Sequence, residues 1–88
     1  MTPNKVISLI NETQTKRYII KKTQHVIENW FTKHDENFNN NEKKMIKELI
    51  SILKQGKINT ESKNKLLNLK NALIDKIINI DKVHHDSN

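Results

Sequence analysis

Isoleucine and leucine recur at helical spacing along a chain that has only one glycine and one proline to interrupt it. In the C-terminal half, apolar residues follow one another at intervals of three or four, at Leu66, Leu69, Leu73, Ile77 and Ile80. This spacing places them on one side of an α-helix. A series of β-hairpins would need glycine- or proline-containing turns between its strands. The sequence therefore predicts an all-α fold.

Length and cysteine content limit how such a fold is stabilised. The chain has 88 residues and no cysteine, so we expect a thin core, a single domain, and no stabilisation by disulfides or thiolate zinc sites. The longest apolar stretch, residues 72–80, is broken by Asp75, Lys76 and Asn79, which argues against a transmembrane segment. We predict one bundle domain over residues 1–83, a frayed tail over residues 84–88, and a cytoplasmic location.

The first half of the chain predicts two helices that are either separate or continuous. Thr2 and Pro3 are typical of a helix start, because threonine caps free backbone N–H groups and proline fits the first helical turn. A second apolar stripe predicts a helix over residues 15–33. Between the two, Thr13 and Thr15 are candidate caps, but no glycine or proline forces a break.

Local signals also mark the ends of the last two helices. Asn39 and Glu42 have the spacing of a capping box, and Gly56 predicts the end of the third helix, because glycine adopts left-handed backbone conformations without a side-chain clash. The fourth helix is predicted to start at residues 59–60 and to end near Lys82. Short connections favour a small antiparallel up-and-down helical bundle of four helices, or of three if the first two are continuous.

The residues that carry most enzymatic chemistry are absent or poorly spaced. His25 and His34 are nine positions apart, whereas a zinc-binding helix face needs a spacing of four. The adjacent residues at 84–86, two histidines and an aspartate, cannot all point at one ion. A single glycine excludes a glycine-rich phosphate loop. We therefore predict no catalytic residues, no metal site, no cofactor and no enzymatic activity.

Two clusters are candidates for partner binding. Trp30 and Phe31 point about 100° apart on a helix, so one ring can be buried while the other lies at the bundle edge. With Phe38 they predict an exposed apolar patch for a partner, or for a second copy in a homodimer. Core packing is the ordinary interpretation of the same residues.

The densest basic cluster is KRYIIKK at residues 16–22, with Lys16, Arg17, Lys21 and Lys22. It is an ordinary solvated face, or a contact for phosphates, anionic lipid headgroups or an acidic partner. The formal net charge is +6, but basic and acidic residues are spread evenly over the two halves, so a nucleic-acid-binding arm is not favoured. Abundant lysine, asparagine and isoleucine are also typical of a low-GC bacterium.

Residues 42–73 resemble the immunity proteins of pediocin-like (class IIa) bacteriocins, the enterocin A immunity group. The matching segments are NNNEKKMIKELISILKQGKI and LLNLKNAL. The resemblance implies an antiparallel four-helix bundle that protects the producer cell from the cytoplasm, by recognising a bacteriocin together with its membrane receptor, a mannose-type sugar permease, at the inner membrane face. It also implies specificity in the C-terminal half, so the candidate recognition residues are on helix four: Lys63, Asn64, Asn68, Lys70 and Asn71.

Two other functions fit the same features. A small phage- or plasmid-encoded inhibitor or regulator that binds a host protein shares the size, the composition and the lack of catalytic residues. A nucleic-acid-binding protein would use the basic cluster at residues 16–22.

Overall fold

The computed structural model describes the backbone of residues 2–86 and the side chains of residues 2–80. It contains four α-helices, which are α1 (Pro3–Glu12), α2 (Lys21–Lys33), α3 (Asn40–Lys54) and α4 (Thr60–Asp86). Short 3₁₀ turns follow α1 and α2, at Thr13–Thr15 and Asp35–Asn37. The predicted all-α fold is confirmed, with four helices. No helix within the described part is long and apolar enough to cross a membrane.

Contacts between the helices fix their directions. Asn11 of α1 contacts Lys70 of α4, and Gln14, in the 3₁₀ turn after α1, contacts Lys63 earlier in α4. The two helices are therefore antiparallel. Ion pairs give the same result for α2 and α3, where Glu28 pairs with Lys54 and Asp35, just after α2, pairs with Lys43. Glu42 at the start of α3 pairs with Lys76 far along α4, so with the short connection between them these helices are also antiparallel. The four helices run up, down, up and down.

The helix starts follow the predicted capping chemistry. The Thr2 hydroxyl accepts a hydrogen bond from the backbone N–H of Lys5, at 3.2 Å. Asn39 and Glu42 form the reciprocal capping box, because each side chain accepts a bond from the other residue's backbone N–H, both at 2.8 Å. Gly56, with φ of 77°, follows the C-terminus of α3. The predicted ends at these positions are confirmed.

The start of α2 differs from the prediction. A helix was predicted from residue 15, but residues 16–20 are not helical and α2 begins at Lys21. Tyr18 pairs with Lys57 in an isolated antiparallel bridge: the N–H of Ile19 donates to the Gly56 carbonyl at 2.6 Å, and the N–H of Ile58 donates to the Arg17 carbonyl at 2.8 Å. Residues 17–19, between α1 and α2, thus make backbone hydrogen bonds to residues 56–58, between α3 and α4, in place of the bonds they would make within a helix.

This bridge gives the core two of its side chains. Ile19 and Ile58 are both buried, one from each connection. In an extended chain alternate residues point to opposite sides, so Ile19 turns inward while Tyr18 and Ile20 stay exposed. The break between α1 and α2 resolves the open alternative in favour of four separate helices.

The predicted exposed aromatic patch is wrong. Trp30, Phe31 and Phe38 are 4%, 2% and 4% exposed, so all three belong to the core. The reason is that the chain after α2 folds back over the end of that helix. Phe38 packs on Phe31 with ring centroids 5.8 Å apart, and the His34 ring covers Trp30 at 4.4 Å. Two adjacent residues are buried because α2 is covered on more than one side.

Helix α4 extends further than predicted. It ends at Asp86, four residues beyond the predicted end at Lys82. Its buried residues pack against α1 on one side and α3 on the other. The predicted frayed tail, residues 84–88, lies outside the described side chains, and its last two residues lie outside the described backbone, so that prediction is untested.

Candidate functional site

The outward side of α4 is lined by asparagines. Asn64, Asn68 and Asn71 are exposed at intervals of four and three residues, which places them along one stripe of the helix. Within residues 2–80, none of the three side chains takes part in a hydrogen bond. Leu67 lies beside them and is 37% exposed. We call these four residues the asparagine face.

Asparagine has an unfavourable helix propensity, because its side chain competes for backbone hydrogen bonds. An exposed position in a long helix is more favourably occupied by alanine or by a straight-chain residue, by up to about 0.7 kcal/mol per position. Three asparagines on one stripe therefore contribute little to the stability of α4. Their uncommitted amide groups are available to both donors and acceptors of a partner.

The two lysines predicted for this recognition face are not on it. Lys70 is only 9% exposed, and its Nζ donates to Asn11 Oδ1 of α1 at 2.9 Å. Lys63 is half-buried, and its backbone carbonyl accepts a hydrogen bond from Gln14 Nε2 at 3.3 Å. The helical register explains the correction, since these positions lie along the contact with α1, which the sequence could not identify as the neighbour of α4.

We expect Lys70 to stabilise the contact between α1 and α4. Replacing it with alanine should lower the free energy of unfolding by about 1 to 2 kcal/mol, because a charged hydrogen bond and the packing of its stem are lost while Asn11 can be rehydrated. Urea denaturation of K70A, N11A and the double variant measures the coupling, expected to exceed about 0.5 kcal/mol. Additive effects of the two single changes would contradict this role.

A basic surface lies at the end of the bundle where the two connections meet. Lys16, Arg17, Lys21 and Lys22 are exposed there, as is Lys57 from the other connection. We call these five residues the basic end. Lys21 and Lys22 are on α2, whereas Lys16 and Arg17 are in the non-helical segment before it, so the four cations do not form one helix face. The bridge between Tyr18 and Lys57 brings the two groups of cations together.

Apolar side chains lie among these cations. Tyr18 and Ile20 are each 64% exposed. They border a shallow depression of about 230 Å³, which Leu9 and Ile19 also line. Glu12 and Lys16 lie at the same depression. This surface is therefore both basic and apolar.

Sequence reasoning missed three residues of these two surfaces. Ile20 and Leu67 are large apolar residues beside the predicted apolar stripes, where burial is the ordinary expectation, whereas both are exposed. Their positions at the margin of each stripe are the one signal that could have shown it. Lys57 had no signal, because its place beside residues 16–20 depends on a bridge between distant parts of the chain.

The candidate chemical sites do not assemble. No group of three histidine, aspartate or glutamate side chains is placed to hold a metal within the described residues. His25 is exposed, and His34 stacks on Trp30 with its Nδ1 2.9 Å from the Trp30 carbonyl. The side chains of residues 84–86 lie outside the described part.

No known protein family matches the chain, and no characterised protein or solved structure is significantly similar to it. The two exposed surfaces, the asparagine face and the basic end, are therefore the features of the molecule that indicate a function.

Proposed function

We propose that this chain is a non-enzymatic, protein-binding helical bundle that protects its producer cell from a pediocin-like bacteriocin. The observation that carries the proposal is the asparagine face, a stripe of uncommitted amides on the longest helix. The residues that resemble the immunity proteins, 42–73, form most of α3 and the first half of α4. An antiparallel four-helix bundle is also the architecture that the resemblance implies.

The chemistry of the asparagine face suits a protein partner. Neutral amides can enter an interface without the desolvation cost of charged groups, provided that the partner supplies hydrogen bonds. Leu67 adds an apolar contact among them, and the interior of a protein interface is typically depleted in lysine and glutamate. Lys70, on one border of the face, is buried and donates to Asn11 of α1, so its charge is directed away from the asparagines. Lys65, on the other border, is exposed and paired with Glu61.

The proposed partner is the bacteriocin together with its membrane receptor, and the proposed place of action is the cytoplasmic side of the membrane. Protection by binding is stoichiometric, because each copy of the chain blocks one target and no catalytic turnover occurs. The level of protection should therefore follow the cellular concentration of the chain until its targets are saturated.

The proposal is tested by expressing the chain in a bacteriocin-sensitive strain and challenging the cells with a panel of pediocin-like bacteriocins. We expect survival against at least one of them, and loss of survival with the triple variant N64A/N68A/N71A. Alanine is the better helix former, so this variant should fold at least as stably as the parent. A matched control, N29A/N41A, changes exposed asparagines on α2 and α3 and should protect fully.

The possible outcomes test the immunity function and the role of the asparagine face independently. Unchanged killing by every bacteriocin in cells that accumulate the parent chain would contradict the immunity function. If cells carrying the triple variant survived, the immunity function would remain supported, but the asparagine face would be excluded as the recognition surface.

A further inference from the structure

The cations of the basic end are not used inside the fold. Within the described residues, none of the five forms an ion pair. Lys21 and Lys22 are in the first turn of α2, where the helix dipole disfavours positive charge, and no acidic side chain lies in that turn to offset it. The arrangement therefore costs folding free energy and leaves the charge free for an anionic partner.

The charges are distributed unevenly along the bundle. At the opposite end, where α2 connects to α3, two lysines are paired with acids, Lys43 with Asp35 and Lys76 with Glu42. Lys33, Lys44 and Lys47 are exposed toward that end, where Asp35, Glu36 and Glu42 offset part of their charge. At the basic end, Glu61 is paired with Lys65. Glu12 also lies at this end, where it lines the depression together with Lys16. The bundle thus presents one end that is predominantly positive.

The exposed apolar side chains at this end narrow the choice of partner. Tyr18 and Ile20 project into solvent among the lysines. Phosphates of a nucleic acid would engage the lysines, and a base could stack on Tyr18, but neither would cover the aliphatic side chain of Ile20. A lipid surface satisfies all three groups: headgroup phosphates bind the cations, the tyrosine ring lies at the interface, and the isoleucine enters the acyl boundary.

We propose that the basic end is a docking surface for an anionic phospholipid bilayer, with Tyr18 and Ile20 inserted at the level of the headgroups and Lys16, Arg17, Lys21, Lys22 and Lys57 around them. In this orientation the α1–α2 and α3–α4 connections face the lipid, and the helices extend away from it. The proposal does not depend on the immunity function, and its test contains neither a bacteriocin nor a receptor.

The experiment is cosedimentation of the full chain with vesicles of phosphatidylcholine alone, and of phosphatidylcholine and phosphatidylglycerol in equal parts. We expect binding to the anionic vesicles, little binding to the neutral ones, and steep weakening with added salt. The triple variant K21Q/K22Q/K57Q should lower the partition coefficient on the order of a hundredfold, at about fivefold for each lysine. The variant I20S, at constant charge, should lower it by about tenfold.

Matched controls separate this surface from the overall charge. The variant K33Q/K44Q/K47Q removes the same charge from exposed lysines away from the basic end and should bind almost as the parent does. Equal loss in the two triple variants would overturn the proposal in favour of non-specific attraction. No binding to anionic vesicles at low salt, or an I20S variant that binds as tightly as the parent, would also overturn it.

A final arm distinguishes lipid from nucleic acid. Labelled single-stranded and duplex DNA are titrated with the parent and with I20S at the salt concentration used for the vesicles. We expect binding to DNA to be weaker than to anionic vesicles and to be unaffected by I20S. Tighter binding to DNA than to the vesicles would overturn the lipid proposal and identify the basic end as a nucleic-acid-binding surface.

Discussion

Replacing Phe31 with alanine is expected to lower the free energy of unfolding by about 3 to 5 kcal/mol. Phe31 is 2% exposed and packs edge-on against Trp30, with ring centroids 5.3 Å apart, and against Phe38. Its removal leaves a cavity that the neighbouring helix cannot fill without losing its own contacts. A domain of this length has a total stability of about 4 to 13 kcal/mol, so F31A should be partly or largely unfolded at room temperature.

Urea denaturation followed by circular dichroism measures this effect, with Tyr18→Ala as the matched control. Tyr18 is also aromatic but 64% exposed, so Y18A should change the unfolding free energy by less than about 0.5 kcal/mol. Phe31 is a cleaner test than Trp30, because the buried Trp30 Nε1–H has no hydrogen-bond partner within the described residues, and removing the indole would combine lost packing with a relieved cost. If F31A and Y18A both changed the free energy of unfolding by equally small amounts, the burial of the aromatic cluster would be contradicted.

The second large effect is expected at Leu73, which is fully buried in the middle of α4. L73A should destabilise the domain by about 2 to 5 kcal/mol, because α4 packs against both α1 and α3 and the cavity lies between them. In a domain of this size each kcal/mol lowers the melting temperature by roughly 4 to 8 °C. L67A, which removes a leucine of the asparagine face, should cost less than about 1 kcal/mol.

Thermal denaturation of the two leucine variants provides the comparison. A large shift for L73A and a small one for L67A agree with the described orientation of α4. If L67A were the more destabilising change, the helix would be rotated, and the asparagine face would be directed toward the core.

Most of the fold could be predicted from the sequence, because the signals that start and end helices are local. Thr2 with Pro3, the box formed by Asn39 and Glu42, and Gly56 each act within one turn of the backbone. Their effect depends on few other residues, so a pattern of three or four positions is enough to recognise them. The number of helices and their antiparallel order then follow from short connections.

The start of α2 could not be predicted in the same way. Residues 16–20 fit an apolar helix as well as an extended strand, since Ile19 and Ile20 serve either period. The choice is made by the backbone bonds to Gly56 and by the burial of Ile19 beside Ile58. Both partners are distant in the sequence, so no local pattern contains them.

The candidate surfaces were predicted in part. Asn64, Asn68 and Asn71 are on the exposed side of α4, as the helical period requires, whereas Lys70 is buried because α1 is its neighbour. The four cations at residues 16–22 are exposed, but they form the basic end only when the bridge adds Lys57. Basic residues that are spread evenly along the sequence can therefore still cluster on one surface of the folded chain.

The bridge between Tyr18 and Lys57 is the feature from which the basic end and the separation of α1 from α2 both follow, and proton NMR tests it directly. In an antiparallel pair whose flanking residues make the hydrogen bonds, the facing Cα atoms are about 4.5 Å apart. We therefore predict a strong NOE between the Hα protons of Tyr18 and Lys57, together with extended chemical shifts at residues 16–19. Its absence, with helical shifts running unbroken from residue 13 to Lys33, would contradict the account.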